Sequence, residues 1–183
     1  LQFAPDTIDV LDFDVAFCNT DPAGSKSGLD ELTSAAQLQE LVRIHRYTGR
    51  IDCDDRELAD VARVRDEIRV LWAMERDVLA TRINKILAAV TFLPQLARHD
   101  GLDWHLHATG SDAPLAERIR VEAALAFIDV IRADATDRLR ICAASDCAGL
   151  LVDLSRNSSK RFCSVRCSNR VNMIAYRERQ SAP

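Results

Sequence analysis

Four cysteines near the C-terminus constrain this chain more than any other feature. Cys142 and Cys147 enclose Ala-Ala-Ser-Asp, fifteen residues follow, and Cys163 and Cys167 enclose Ser-Val-Arg. Zinc takes four tetrahedral nitrogen or sulfur ligands, and each short-spaced pair supplies two thiolates from one turn. All four positions are thiolates, which leaves none open for a catalytic water. The spacing therefore predicts one structural Zn2+ held by Cys142, Cys147, Cys163 and Cys167. The competing reading is a Cys-x4-Cys redox pair, but redox pairs favour a two-residue spacing and need no second pair. A module of about forty residues buries too little apolar surface to fold alone. Zinc supplies the difference, on the order of 10–16 kcal/mol expressed as folding free energy.

The rest of the chain bounds the setting. With 183 residues, 48% hydrophobic and 28% charged, it holds enough for one good core plus a small appendage. Six cysteines would suggest disulfides in a short secreted chain, but four grouped at metal spacing point to a reducing compartment. No apolar run approaches membrane-spanning length and no basic-then-apolar signal opens the sequence, so a cytoplasmic protein with no membrane partner is expected. Charge is unevenly spread. Residues 138–183 carry nine Lys/Arg against three Asp/Glu, or +6, and the remainder carries fifteen against twenty-five, or −10; together they give the chain's −4. A basic tail on an acidic body suits a nucleic-acid partner for the tail alone. The bland alternative is a cationic surface docked on its own acidic domain.

Hydrophobic periodicity predicts the elements. Residues 8–20 alternate Leu11, Phe13, Val15 and Phe17 with Asp12 and Asp14, the period-two pattern of a half-buried strand whose polar face is solvated. Thr33 or Ser34 caps a helix carrying Leu38, Leu41 and Val42 and ending near Gly49, with His45 as a packing residue. Asp54 and Glu57 read as a carboxylate capping box opening a helix through Val61, Val64, Ile68 and Trp72. Neither Gly nor Pro marks a join, so residues 55–92 read equally as one helix or two. A hairpin is expected over 95–108, turning at His99-Asp100-Gly101, with His105 and His107 on one face. Pro114 starts a further helix with Val121, Leu125, Ile128 and Ile131 at core spacing. A basic segment then begins, placing the boundary between domains 1–137 and 138–183. In the tail, two short strands flank the first cysteine pair and a helix runs from about Cys167 to Gln180.

Chemistry outside the cysteines is sparse. Cys18 and Cys53 read as small buried hydrophobes. Ser25-Lys26-Ser27 lacks the glycines of a phosphate loop, and no Ser-His-Asp, His-Glu-x-x-His or Gly-rich nucleotide signature appears. The chain is not expected to be an enzyme.

The segment from Arg140 to Arg179 resembles the CGNR-type zinc finger found at the C-terminus of bacterial stress-induced transcription regulators. The likeness rests on the paired cysteines, Asp153-Leu-Ser-Arg-Asn157, Arg161-Phe-Cys-Ser164 and Cys167-Ser-Asn-Arg170, with Ser168 standing where the signature has glycine. Phe17-Cys-Asn-Thr20 is similar to the F-V-N-T of the ABATE domain that commonly precedes this finger. The resemblance implies a DNA-binding, stress-responsive regulator. Arg166, Arg170 and Arg177 share one helical face by spacing, and such arginines clamp phosphates or reach guanine edges. The expected nucleic-acid contacts are Arg156, Lys160, Arg161, Arg166, Asn169, Arg170, Arg177 and Arg179. Phe17, Asn19 and Trp104 mark a guessed pocket for a small-molecule effector. Homodimerisation would pair half-sites and add affinity. The alternative is a zinc-stabilised protein- or RNA-interaction module offering Val171, Ile174 and Tyr176. The fold class expected is α+β: a mainly helical N-terminal domain with a short hairpin sheet, then a small treble-clef-like module with four zinc-binding cysteines, ending in a basic helix.

Overall fold

Pro5 opens the first helix, α1 (Pro5–Cys18), where its missing N–H is no loss and Asp6 sits in the first turn. The computed structural model describes residues 3–90, 94–98 and 104–181. In α1, Thr7, Leu11, Asp14 and Cys18 are buried at offsets 0, 4, 7 and 11, the period of a helix. This corrects the strand expected over residues 8–20. The period-two reading put Asp12 and Asp14 together on a solvated face. Asp12 is exposed, but Asp14 is 0% exposed and belongs to the buried side. Phe13 and Phe17 are buried as well, because α1 packs against two further helices and a strand. A helix covered on so much of its circumference loses the amphipathic signature that would have identified it.

The next helices follow their caps. Ser34 accepts a hydrogen bond from the Gln37 N–H at the start of α2 (Ala35–Ile44), and His45 packs edge-on against Phe13. Asp54 accepts from the Glu57 N–H at 2.7 Å to open α3 (Asp55–Trp72). The Glu57 carboxylate reaches back to the Asp52 and Cys53 N–H groups at 2.8 and 2.7 Å, one or two residues beyond the usual capping box. α3 and α4 (Arg76–Ala88) are separate helices, which settles the alternative left open by the sequence.

The helical body centres on α5 (Leu115–Arg132), against which α1, α3 and α4 all pack. Of the expected stripe Val121 is fully buried, while Leu125, Ile128 and Ile131 are only partly buried; the buried side also runs through Ile119, Ala123, Phe127 and Val130. The alanines at 116, 123, 124 and 126 let neighbouring helices approach closely, so small residues as well as large ones mark the core face. Short strands β1 (Gln95–Ala97) and β2 (His105–His107) pair antiparallel as expected, with Leu96 opposite Leu106. The turn assigned to His99-Asp100-Gly101 and the side chain of His105 lie outside the described residues.

After a 3-10 turn at Thr136–Arg138 come β3 (Leu139–Ile141), β4 (Leu150–Val152) and the final helix α6 (Val165–Ser181). β3 and β4 pair antiparallel, Leu139 opposite Val152. Leu139, Leu150 and Val152 bury themselves in the main core with Phe17, Trp72 and Phe127. The described residues thus form an α+β fold of six helices and two two-stranded sheets, with a cysteine cluster and a helix at the C-terminal end.

Candidate zinc centre and nucleic-acid interface

The β3–β4 turn builds one half of the cysteine site. The Cys142 N–H donates to Gly149 O at 2.8 Å, and the Cys147 N–H donates to Ala144 O at 3.1 Å, folding residues 142–149 into a tight knuckle. The second half is a helix start. Ser164 Oγ accepts from the Cys167 N–H at 3.3 Å and Ser164 O from the Ser168 N–H at 3.2 Å, capping α6 just after Cys163. Ser168 lies inside α6 and is not among the residues with positive φ, so the glycine of the signature is not needed for the backbone here.

These two halves bring the four sulfurs together. All four Sγ atoms lie within 4.8 Å of one another, and Cys147–Cys163 and Cys163–Cys167 are each 3.7 Å apart. With Zn–S bonds near 2.3 Å, tetrahedral ligands sit about 3.8 Å from each other. No pair is at disulfide distance and all six cysteines are free. Burial raises the Cys167 thiol, but hydrogen bonds with Ser164 and the neighbouring cysteines outweigh it and bring it down to about 7. Cys163 moves the other way, pushed up by burial and by the same sulfurs. Thiols this close share protons unevenly, and a divalent cation at their centre takes the protons' place.

Around the sulfurs, donors and close backbone complete the centre. The Gly149 N–H points at Cys147 Sγ from 3.3 Å. Arg170 Nη2 donates to Asp146 Oδ1 at 2.7 Å and to Cys167 Sγ at 3.5 Å, so its cation offsets thiolate charge. Leu151, Ala144, Phe162 and Val171 form a small apolar cluster with the cysteines.

A family model described as CGNR zinc finger matches residues 138–180. The ABATE model, described as "putative stress-induced transcription regulator", matches residues 13–138. The chain belongs to the ABATE family. No curated protein matches it. The four cysteines of the finger are its structural zinc site, holding one ion and lending it no open position.

The ABATE part grips the zinc knuckle directly. Asn19 Nδ2 donates to Leu150 O at 2.9 Å, and the Leu150 N–H donates to Asn19 Oδ1 at 2.7 Å. The Ala148 N–H donates to Ala23 O at 2.9 Å. Arg69 bridges the two parts, donating to Cys18 O at 2.8 Å and to Ala148 O at 3.1 Å. The Phe17-Cys-Asn-Thr20 stretch is therefore a docking element. Of the three residues guessed to line an effector pocket, Phe17 is fully buried, Asn19 commits its amide to β4, and Trp104 is 64% exposed beside β2.

The basic loop after β4 is tied to a buried carboxylate. Asp153 is 0% exposed and accepts from the Ser155 N–H at 2.9 Å, Ser155 Oγ at 2.5 Å and the Lys160 N–H at 3.0 Å, and it forms an ion pair with Arg140 Nη1 at 2.8 Å. Burial works against its charge, but these bonds and the Arg140 cation prevail and hold it below the usual carboxylate range. The expected contact residues then fall into distinct settings. Arg156, Arg161, Arg166, Asn169, Arg177 and Arg179 are exposed, and so is Lys160, whose Nζ donates to Val152 O at 3.2 Å. Arg166 donates to Lys26 O, and Arg170 is turned onto the zinc centre. Arg140, Gly149, Asp146 and Arg69 were not singled out from the sequence, and Asp153 only as the first residue of a motif; Asp146, Arg69 and Arg140 act through partners distant along the chain, and Gly149 lies against Cys163.

Proposed function

We propose that the chain is a stress-responsive transcription regulator in which residues 138–183 bind DNA once zinc has ordered them. Residues 1–137 sense a small-molecule effector or mediate assembly into a homodimer, and the Asn19–Leu150 and Arg69–Ala148 contacts are the route by which they bias the finger. The observation that carries this reading is the placement of charge: the exposed cations Arg156, Lys160, Arg161, Arg166, Arg177 and Arg179 sit on the loop and helix that the zinc ligands tie together. A cytoplasmic setting and the absence of catalysis belong to the same proposal. No helix among the described residues is long and apolar enough to cross a membrane.

The test is a titration of zinc-loaded protein with duplex DNA at two salt concentrations, before and after chelation. Contact with about five phosphates gives a log–log salt slope of roughly −4.5, and chelation abolishes binding. A second reading, protein or RNA interaction without sequence-specific DNA binding, draws on Ile174 and Tyr176 of α6, which are 49 and 55% exposed, whereas Val171, also expected there, packs on the zinc cluster. An isotherm that barely moves with salt would favour it.

A further inference from the structure

The nine cations of the tail do not share one task. Arg138 donates to Asp153 O at 3.1 Å and to Ser155 O at 2.7 Å, and Arg140 donates to Ser158 O at 3.0 Å and Lys160 O at 3.1 Å. Both hold the loop rather than face outward. On α6, the expected stripe of Arg166, Arg170 and Arg177 is divided at its start: Arg166 is bonded to the Lys26 carbonyl, and Arg170 to Asp146 and Cys167. A cation already spent on protein acceptors has to break those bonds before it can neutralise a phosphate.

Arg156 and Asn157 are different. They are exposed, and among the described residues their side chains make no hydrogen bond or ion pair. The backbone that carries them is fixed on both sides by Asp153, through the Ser155 and Lys160 N–H groups, and closed by the Ser159 N–H donating to Ser155 Oγ at 2.9 Å. Ser158 completes the reversal with φ +52°. Loop ordering is a cost that binding otherwise meets at the moment of association, and a loop ordered beforehand avoids it.

Resting on the DNA-binding reading above, we propose that the loop Ser155–Arg161 is the leading DNA contact. Arg156 engages the duplex backbone, Asn157 reaches phosphate or base edge beside it, and Asp153 is the positioning residue that presents both. A guanidinium held this way matches phosphate bidentately, and an asparagine amide matches adenine. α6 contributes support from Arg179.

The experiment uses the full chain loaded with zinc and a random-sequence DNA duplex, titrated over a range of salt concentrations. Arg156→Ala binds about tenfold more weakly, the loss of one charge-assisted contact, with a salt slope shallower by about 1. Arg156→Lys recovers the slope. Asp153→Asn keeps its zinc and its helical content but loses affinity to a similar extent. If wild type binds with a steep salt dependence and Arg156→Ala is indistinguishable from it, the loop proposal is overturned and the DNA reading stands. If wild type shows no salt-dependent binding, the DNA reading itself fails. An Asp153→Asn protein that loses zinc or unfolds overturns the positioning role, and Arg156 then decides the loop alone.

Discussion

Asn19 and Leu150 are joined edge to edge, amide to peptide, across 131 residues of sequence. Both bonds of the Asn19 carboxamide go to the backbone of one residue of β4, as a neighbouring strand would do. The side chain thereby closes an edge of the β3–β4 sheet and fixes the zinc knuckle to the end of α1. Gly24 is packed into the same joint, where a Cβ would fall 2.7 Å from Asn19 Oδ1 and 3.1 Å from Gly149 Cα.

Replacing Asn19 by Ala removes both bonds and leaves the Leu150 N–H and C=O without their partner. The expected loss is about 2 kcal/mol, from two part-buried hydrogen bonds. Asn19→Asp should fall between the two, since a carboxylate still accepts from the N–H but meets the Leu150 carbonyl with like polarity. Urea unfolding of the three zinc-loaded proteins checks the order; an Asn19→Ala variant as stable as wild type would mean that water replaces the amide without loss.

Gly149 stands against two ligands. A Cβ there would lie 2.9 Å from Cys163 Sγ and 3.3 Å from Cys147 Sγ. Gly149→Ala must push those sulfurs out of place, and zinc affinity should fall on the order of 10–100-fold, the range seen when supporting groups of a metal site are changed. Competition against a chromophoric chelator measures it. The change should spare the α1–α5 body, so circular dichroism of the helices is the control.

Asp14 bears on pH dependence. Its carboxyl is fully buried with neither oxygen hydrogen-bonded among the described residues, and burial, followed by the nearby Glu122 charge, pushes its pKa well above the usual value. Glu122 is itself bonded to Tyr47 Oη at 2.5 Å, and burial together with that carboxylate pushes the phenol up as well. A group with a raised folded pKa favours the folded state when protonated. Its contribution is therefore fully present below the unfolded value near 4 and declines as pH rises toward the folded pKa. Asp14→Asn should flatten that decline, and Asp14→Leu should add about 1–3 kcal/mol at neutral pH by removing an unsatisfied buried group. Urea midpoints at pH 5 and pH 8 give the answer. A wild type that is more stable at the higher pH, with the difference abolished in Asp14→Asn, would reverse the sign.

Cys163→Ser removes one of four ligands and should abolish tight zinc binding. Loss of the metal releases Phe162, Val171 and the start of α6, which have little else to pack on. Leu139, Leu150 and Val152 stay anchored in the large core. Hydrogen exchange should then show α6 unprotected while α1, α3 and α5 keep their protection. Uniform loss over both parts would mean that the zinc centre and the helical body fold as one unit.

The zinc centre was legible in the sequence because its ligands come as two local pairs, and local spacing is what a chain displays directly. Helices α2 and α3 were legible for the same reason: Ser34 and Asp54 each cap through a residue three positions on. α1 was not, because the alternation of Leu11, Phe13, Val15 and Phe17 mimics a strand and only packing shows that Asp14 faces inward. The sequence by itself determined the metal, the caps and the basic character of the tail, all properties of neighbouring residues. Tertiary structure alone decided that Asn19 docks β4, that Arg140 and Asp153 shape the loop, and that Arg170 serves the zinc centre while Arg156 faces solvent. Each of those outcomes depends on which distant group reaches a side chain first, and composition and spacing carry no record of that.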